Sequence, residues 1–200
     1  MATKRVTWRR NDETETDEHA TLTVRDTGLS LIGTVIGAHG GIPLRIEYRV
    51  LADGAGMTTA AHVRELRGFE QRSVMLERSA KGAWSVNSQP VRTLRGCTDV
   101  DLGFSPSTNS LPIRRLRLGI GASKTIQAAW LRFPDLTVEK AAQTYTRLDE
   151  FTYRYESGTF SAELVVDDDG LVASYAVWQR TGVAIGPDDT APLDSARDGG

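Results

Sequence analysis

Leu44-Arg45-Ile46-Glu47-Tyr48-Arg49-Val50 sets apolar and charged residues in strict alternation, the pattern of a strand with one face buried and the other in water. The same period of two continues outward in both directions. Upstream, Leu29, Leu31, Gly33 and Val35 alternate with Ser30, Ile32, Thr34 and Ile36, and Leu22 and Val24 alternate with threonines. Downstream, the segments 73–77, 83–86, 115–118, 126–133, 152–155, 160–166 and 171–178 read as further strands. Turn signals such as Asp26-Thr27-Gly28, Lys81-Gly82 and Glu156-Ser157-Gly158 separate them, and connections this short imply an antiparallel meander.

One segment competes as a helix. From Thr137 to Asp149, apolar residues fall at Val138, Ala141, Ala142, Tyr145 and Leu148, the spacing of one helical face. Thr137 can cap its start and Glu139 suits the positive end of the helix dipole. The spacing therefore predicts a helix over 137–149, lying on the concave side of a strongly curved sheet.

At 200 residues, with 40% hydrophobic and 25% charged residues, the chain can bury a sizeable core, and collagen-like, disulfide-scaffold and wholly disordered classes are excluded. A single domain over 1–185 is expected, followed by a disordered acidic tail over 186–200. The one cysteine, Cys97, has no partner for a disulfide and no histidine pattern that would activate it or build a zinc site. No metal or cofactor is expected. The N-terminal residues lack an apolar leader and no apolar run approaches the length of a membrane span, so the expectation is a cytoplasmic protein without stable membrane insertion.

Net charge is −2 with a pI of about 5.9, which gives no reason to expect nucleic acid as a partner. The charge is uneven. Acidic patches over 12–18 and 188–198 carry −5 and −3, so the rest of the chain carries +6, and 20 of the 24 cations in the whole sequence are arginine. Guanidinium suits bidentate contact with phosphate or carboxylate, although a GC-rich coding sequence would give the same bias.

The densest polar segment runs from Gly96 to Leu116. If 98–102 is a strand, Asp99 and Asp101 share a face. They then act as an acid–base pair or cation ligands, or they cap turns and pair with Arg114 and Arg115. Asp167-Asp168-Asp169-Gly170 lacks the later ligands of a calcium loop and reads as a turn. The aromatic residues Trp8, Trp84, Trp130, Trp178 and Tyr145 either fill the core or pack a hydrocarbon tail or a sugar face.

The polar segment also carries a resemblance. Gly96-Cys97-x-Asp99-x-Asp101-Leu102, then Pro106-x-Thr108-Asn109-x-Leu111-Pro112-Ile113-Arg114-Arg115-Leu116, is similar to the family of putative glycolipid-binding proteins, formerly a bacterial domain of unknown function. Trp8-Arg9-Arg10, Gly82-x-Trp84, Trp130-x-x-Phe133-Pro134-x-Leu136, Gln143-x-Tyr145 and Tyr153-Arg154-Tyr155 support it in family order. One departure is Gly56, where the family pattern leads us to expect tryptophan. The resemblance implies a mainly β fold, a spiral β-roll of about fifteen antiparallel strands wrapped around a single α-helix.

The resulting expectation is a non-enzymatic binder of a glycolipid or other amphiphile. Its tail would lie between curved sheet and helix near Tyr145, and each buried CH₂ contributes about 0.8 kcal/mol. Its head group would meet Arg114 and Arg115 through phosphate or hydroxyl oxygens, Asn109, Asp99 and Asp101 through sugar hydroxyls, and Trp8 or Trp84 through an apolar face. The alternatives are a closed structural or protein-interaction module whose helix fills the roll, and a hydrolase or isomerase using Asp99 and Asp101. Oligomeric state is not readable from the sequence.

Overall fold

The computed structural model of the chain describes residues 2–186. Eight strands follow the N-terminus: β1 (Ala2–Arg10), β2 (Thr16–Arg25), β3 (Gly28–His39), β4 (Ile42–Asp53), β5 (Thr58–Arg67), β6 (Glu70–Arg78), β7 (Trp84–Val86) and β8 (Gln89–Pro90). The chain then crosses to the far edge of the same sheet as β9 (Asp99–Leu102). A buried strap of residues 103–109 follows, ending in a 3₁₀ turn at Ser107–Asn109, and leads into the helix α1 (Ser110–Leu116). Six more strands return: β10 (Ser123–Leu131), β11 (Val138–Arg147), β12 (Thr152–Ser157), β13 (Phe160–Val166), β14 (Val172–Tyr175) and β15 (Trp178–Gly186).

All fifteen strands form one unclosed sheet in the order 8-7-6-5-4-3-2-1-15-14-13-12-11-10-9. Both ends of the described chain therefore meet in the middle of the sheet, where β1 pairs with β15 from Thr3↔Gly186 to Arg10↔Trp178. Every pairing is antiparallel except β9 with β10, as a chain of hairpins requires. Register shifts at Thr7/Trp8, Leu51/Ala52 and Val165/Val166 bend the strands locally, which suits the curvature of a roll.

The core lies on the concave face in two clusters. The larger gathers β1–β7 around Trp8, Leu31, Ile46 and Leu76, together with Leu102, Phe104 and Leu111. The smaller holds Ile113, Tyr145, Tyr153, Tyr155 and Leu164. Helix α1 stands between them, with Leu111 in one and Ile113 in the other. A helix of seven residues has little stability of its own; burial on both sides holds it, and Pro112 sits in the first turn, where proline is tolerated.

The mainly β fold around one helix agrees with expectation, but the helix is not where its spacing pointed. Residues 138–147 form β11, paired with β10 over Val138–Thr146 and with β12 over Thr144–Arg147. Gln143 and Tyr145 face inward and are 2% exposed, while Ala142 faces out. Two available neighbours outweigh a helical spacing in which two of the five apolar residues are alanines, and Val138, Thr144, Tyr145 and Thr146 suit a strand. The segment 115–118, read as a strand, is instead the end of α1 and its exit. The segment 171–178 divides into β14 and the start of β15 around a turn at Ala176–Val177. The expected acidic tail lies, apart from Gly186, outside the described residues.

Candidate functional site

At one end of the roll, the turns after β2, β4, β11 and β13 and the last turn of α1 surround a cleft of about 760 Å³. Its floor includes Leu29, Leu111, Ile113, Phe151 and Tyr153, and its wall carries both charges. Arg25, Arg114, Arg115, Arg117 and Arg147 face it, as do Asp53, Glu150, Asp167, Asp168 and Asp169.

Arg115, Arg114 and Arg147 are each held differently. Arg115 pairs through Nη2 with Asp99 and reaches Thr98 Oγ1 at 3.3 Å, while Thr98 donates to Asp99 Oδ2 at 2.7 Å. Asp99 is 1% exposed, and its Oδ1 and the Arg115 Nε are buried without partners. Burial pushes the Asp99 carboxyl up, against the pull of Arg115. Gly56, with φ of +77°, makes room for this pair: a Cβ there would lie 3.1 Å from Arg115 Cβ. Where the family pattern suggested an indole, an arginine stem forms the wall.

Arg114 donates to the Asp169 carbonyl, and its Nη1 lies 3.8 Å from Asp169 Oδ1. The Asp167–Gly170 turn that carries Asp169 is fixed from the other side. Asp167 Oδ2 meets Arg180 at 2.7 Å and Lys4 at 3.3 Å, and its Oδ1 accepts the N–H groups of Asp169 and Leu171, each at 3.0 Å. Burial pushes that carboxyl up, but Arg180, the backbone donors and Lys4 hold it below the usual range. Arg147 donates to the carbonyls of Leu118 at 2.9 Å, Asp149 at 3.0 Å and Glu150 at 2.7 Å. Arg117 closes α1 in the left-handed conformation, φ 46° and ψ 48°, and its exposed guanidinium has no partner among the described residues.

Behind the cleft, the polar segment turns inward. Asn109 is buried, donates to the Pro106 carbonyl at 3.1 Å and accepts the Tyr145 hydroxyl at 2.8 Å. Asp101 accepts Gln143 Nε2 at 2.6 Å and Thr108 Oγ1 at 3.4 Å. Burial pushes its carboxyl up to about 6, with both hydrogen bonds opposing. Cys97 is buried, and burial pushes its thiol up to about 11, the opposite of an activated nucleophile. Among the described residues, no group of three or more His, Cys, Asp or Glu could hold a metal ion, and no helix is long and apolar enough to cross a membrane.

The residues singled out in the sequence therefore separate. Arg114 and Arg115 line the cleft, Asp99 backs Arg115, and Asn109 and Tyr145 bond to each other inside. Tyr145 is only 2% exposed. Trp8 and Trp84 are core residues away from the cleft, 0% and 3% exposed; their indoles donate to the carbonyls of Val172 at 2.8 Å and Cys97 at 3.0 Å. Sequence reasoning missed Arg25, Arg117 and Arg147, which only the meeting of four turns brings together. The aspartate-rich turn was read for its backbone role, which it has, but its contact with Arg114 is tertiary.

The model of the family described as "Putative glycolipid-binding" matches residues 5–180. The chain belongs to that family, which its description presents as one of binding proteins. A crystal structure of a DUF1089-family protein from Pseudomonas aeruginosa superposes with a TM-score of 0.71 at 31% identity, covering 82% of this chain and 92% of that one. No curated protein matches the chain.

Proposed function

We propose that the protein is a non-enzymatic binder of an amphiphile with a polyhydroxylated head group, a glycolipid in keeping with its family. The observation that carries this reading is the cleft itself. Guanidinium groups that donate and carboxylates that accept line it together with the apolar side chains of Leu29, Leu111 and Ile113, the combination that holds a sugar's hydroxyls above its hydrocarbon. Its volume falls within the roughly 300–1,000 Å³ of small-molecule sites. Tyr145 is packed and bonded to Asn109, so the start of the tail is assigned to the floor formed by Leu29, Leu111, Ile113 and Tyr153. Arg117 and Arg114 reach the head group directly, and Asp99 acts through Arg115.

The strap and helix that fill the space between the two core clusters favour a second reading, a closed interaction module. Native mass spectrometry of the gently isolated protein, followed by lipid extraction, separates the two. A bound lipid in stoichiometric amount, depleted by Arg114→Ala, is the outcome for a carrier. A bare mass, with no thermal shift across a panel of glycolipids, is the outcome for a closed module.

A further inference from the structure

Glu18 opens onto the interior rather than onto the acidic patch its sequence neighbours suggest. It is 3% exposed on β2. Tyr48 on β4 reaches it across the intervening β3 because Gly33 stands between them: a Cβ on Gly33 would lie 2.4 Å from the Tyr48 ring. The Tyr48 hydroxyl donates to Glu18 Oε1 at 2.5 Å, and Ser105 Oγ donates to the same oxygen at 2.7 Å. Ser107 Oγ closes the ring, 2.8 Å from the Tyr48 hydroxyl and 2.6 Å from Ser105 Oγ. Glu18 Oε2 is buried without a partner.

We propose that Glu18 is a proton-operated latch for the inner strap: as the neutral acid it seats Ser105 and Ser107 against the β2–β4 wall, and as the carboxylate it loosens them. The groups facing it are Trp8 on β1, Val35 on β3, Tyr48 on β4 and the two serines. Only Tyr48 among them titrates, and none is a cation. A buried carboxylate with one bare oxygen and no counter-ion is strongly disfavoured against its neutral form. Burial accordingly pushes Glu18 up to about 7, against the hydrogen bonds of Tyr48, Ser105 and Ser107.

The sign follows from linkage. Lifting the strap admits water and returns Glu18 to its ordinary value of 4.5, so seating is strongest below that pH. It weakens as pH rises, by up to tenfold per pH unit, until the seated carboxyl itself ionises near 7. The strap runs directly into α1, so its seating positions Arg114 and Arg115; that consequence for the ligand rests on the function proposed above, whereas the latch does not.

The test uses the full chain without ligand. A ¹³C NMR titration of the Glu18 carboxyl is expected to show a midpoint near 7, and a midpoint in the ordinary carboxylate range overturns the proposal. Hydrogen-exchange protection of the Ser105, Ser107 and Asn109 amides is expected to fall more steeply between pH 5 and 7 in the native chain than in Glu18→Gln, which keeps every other titratable group, Asp101 beside Thr108 included. Equal slopes also overturn it. If Glu18→Gln does not fold, Tyr48→Phe supplies the second variant: loss of that donor must move the Glu18 midpoint upward, and an unmoved or lowered midpoint counts against the latch.

Discussion

Arg117 closes α1 in a conformation that costs a side-chain-bearing residue roughly 1–2 kcal/mol, a position where helices usually place glycine. Its side chain reaches no partner among the described residues and stands on the cleft wall. Strain retained at a cleft points to a role there, and the two effects separate in one variant. Arg117→Gly is expected to raise unfolding stability by about 1 kcal/mol in urea titration while weakening glycolipid binding by calorimetry; unchanged binding would leave the strain without a function. Arg115 shows the opposite balance. Its removal strands Asp99 in the interior, so Arg115→Met is expected to destabilise by about 3–5 kcal/mol. Adding Asp99→Asn should recover most of the loss in the same titration. Without that recovery, the ion pair is not what Arg115 contributes.

Among elements, the β2–β3–β4 ladder depends on a missing side chain. Gly33→Ala places a methyl within 2.4 Å of the Tyr48 ring and is expected to cost about 1–3 kcal/mol through overpacking. It should also displace the hydroxyl from Glu18, visible as a changed Tyr48 NMR signal. In the sequence, Gly33 was legible only as an inward position of a strand; the ring that lies over it comes from the neighbouring strand. The strands themselves were readable where one face is buried and the other wet, as in Leu44–Val50. Alternation fails for elements buried on both sides. The strap and α1 are such elements, and with serines, an asparagine and two prolines they resemble a loop. The opposite error befell β11, whose alanines happen to match a helical repeat while Gln143, polar in the sequence, points into the interior to bond Asp101.

At the scale of the whole molecule, the sheet winds outward from its centre in both directions, the chain crosses from β8 to β9, and the strap that follows β9 runs through the concavity into α1. That path explains why the lining of the candidate cleft was half legible. Arg114 and Arg115 lie on the strap's own continuation and were recognisable beside Asp99. Their companions Arg25 and Arg147, and the Asp167–Gly170 turn, arrive from hairpins more than 30 residues away along the chain, joined only by the roll's curvature. The arginine excess of the sequence likewise acquires a place, since five of the twenty arginines line this cleft. The most direct test of the account is to isolate the native protein and its Arg114→Ala variant gently and compare them by native mass spectrometry. The account predicts an amphiphile with a sugar head group at one per chain on the native protein and its depletion from the variant. A native protein that carries nothing and shows no thermal shift with any glycolipid offered would contradict it.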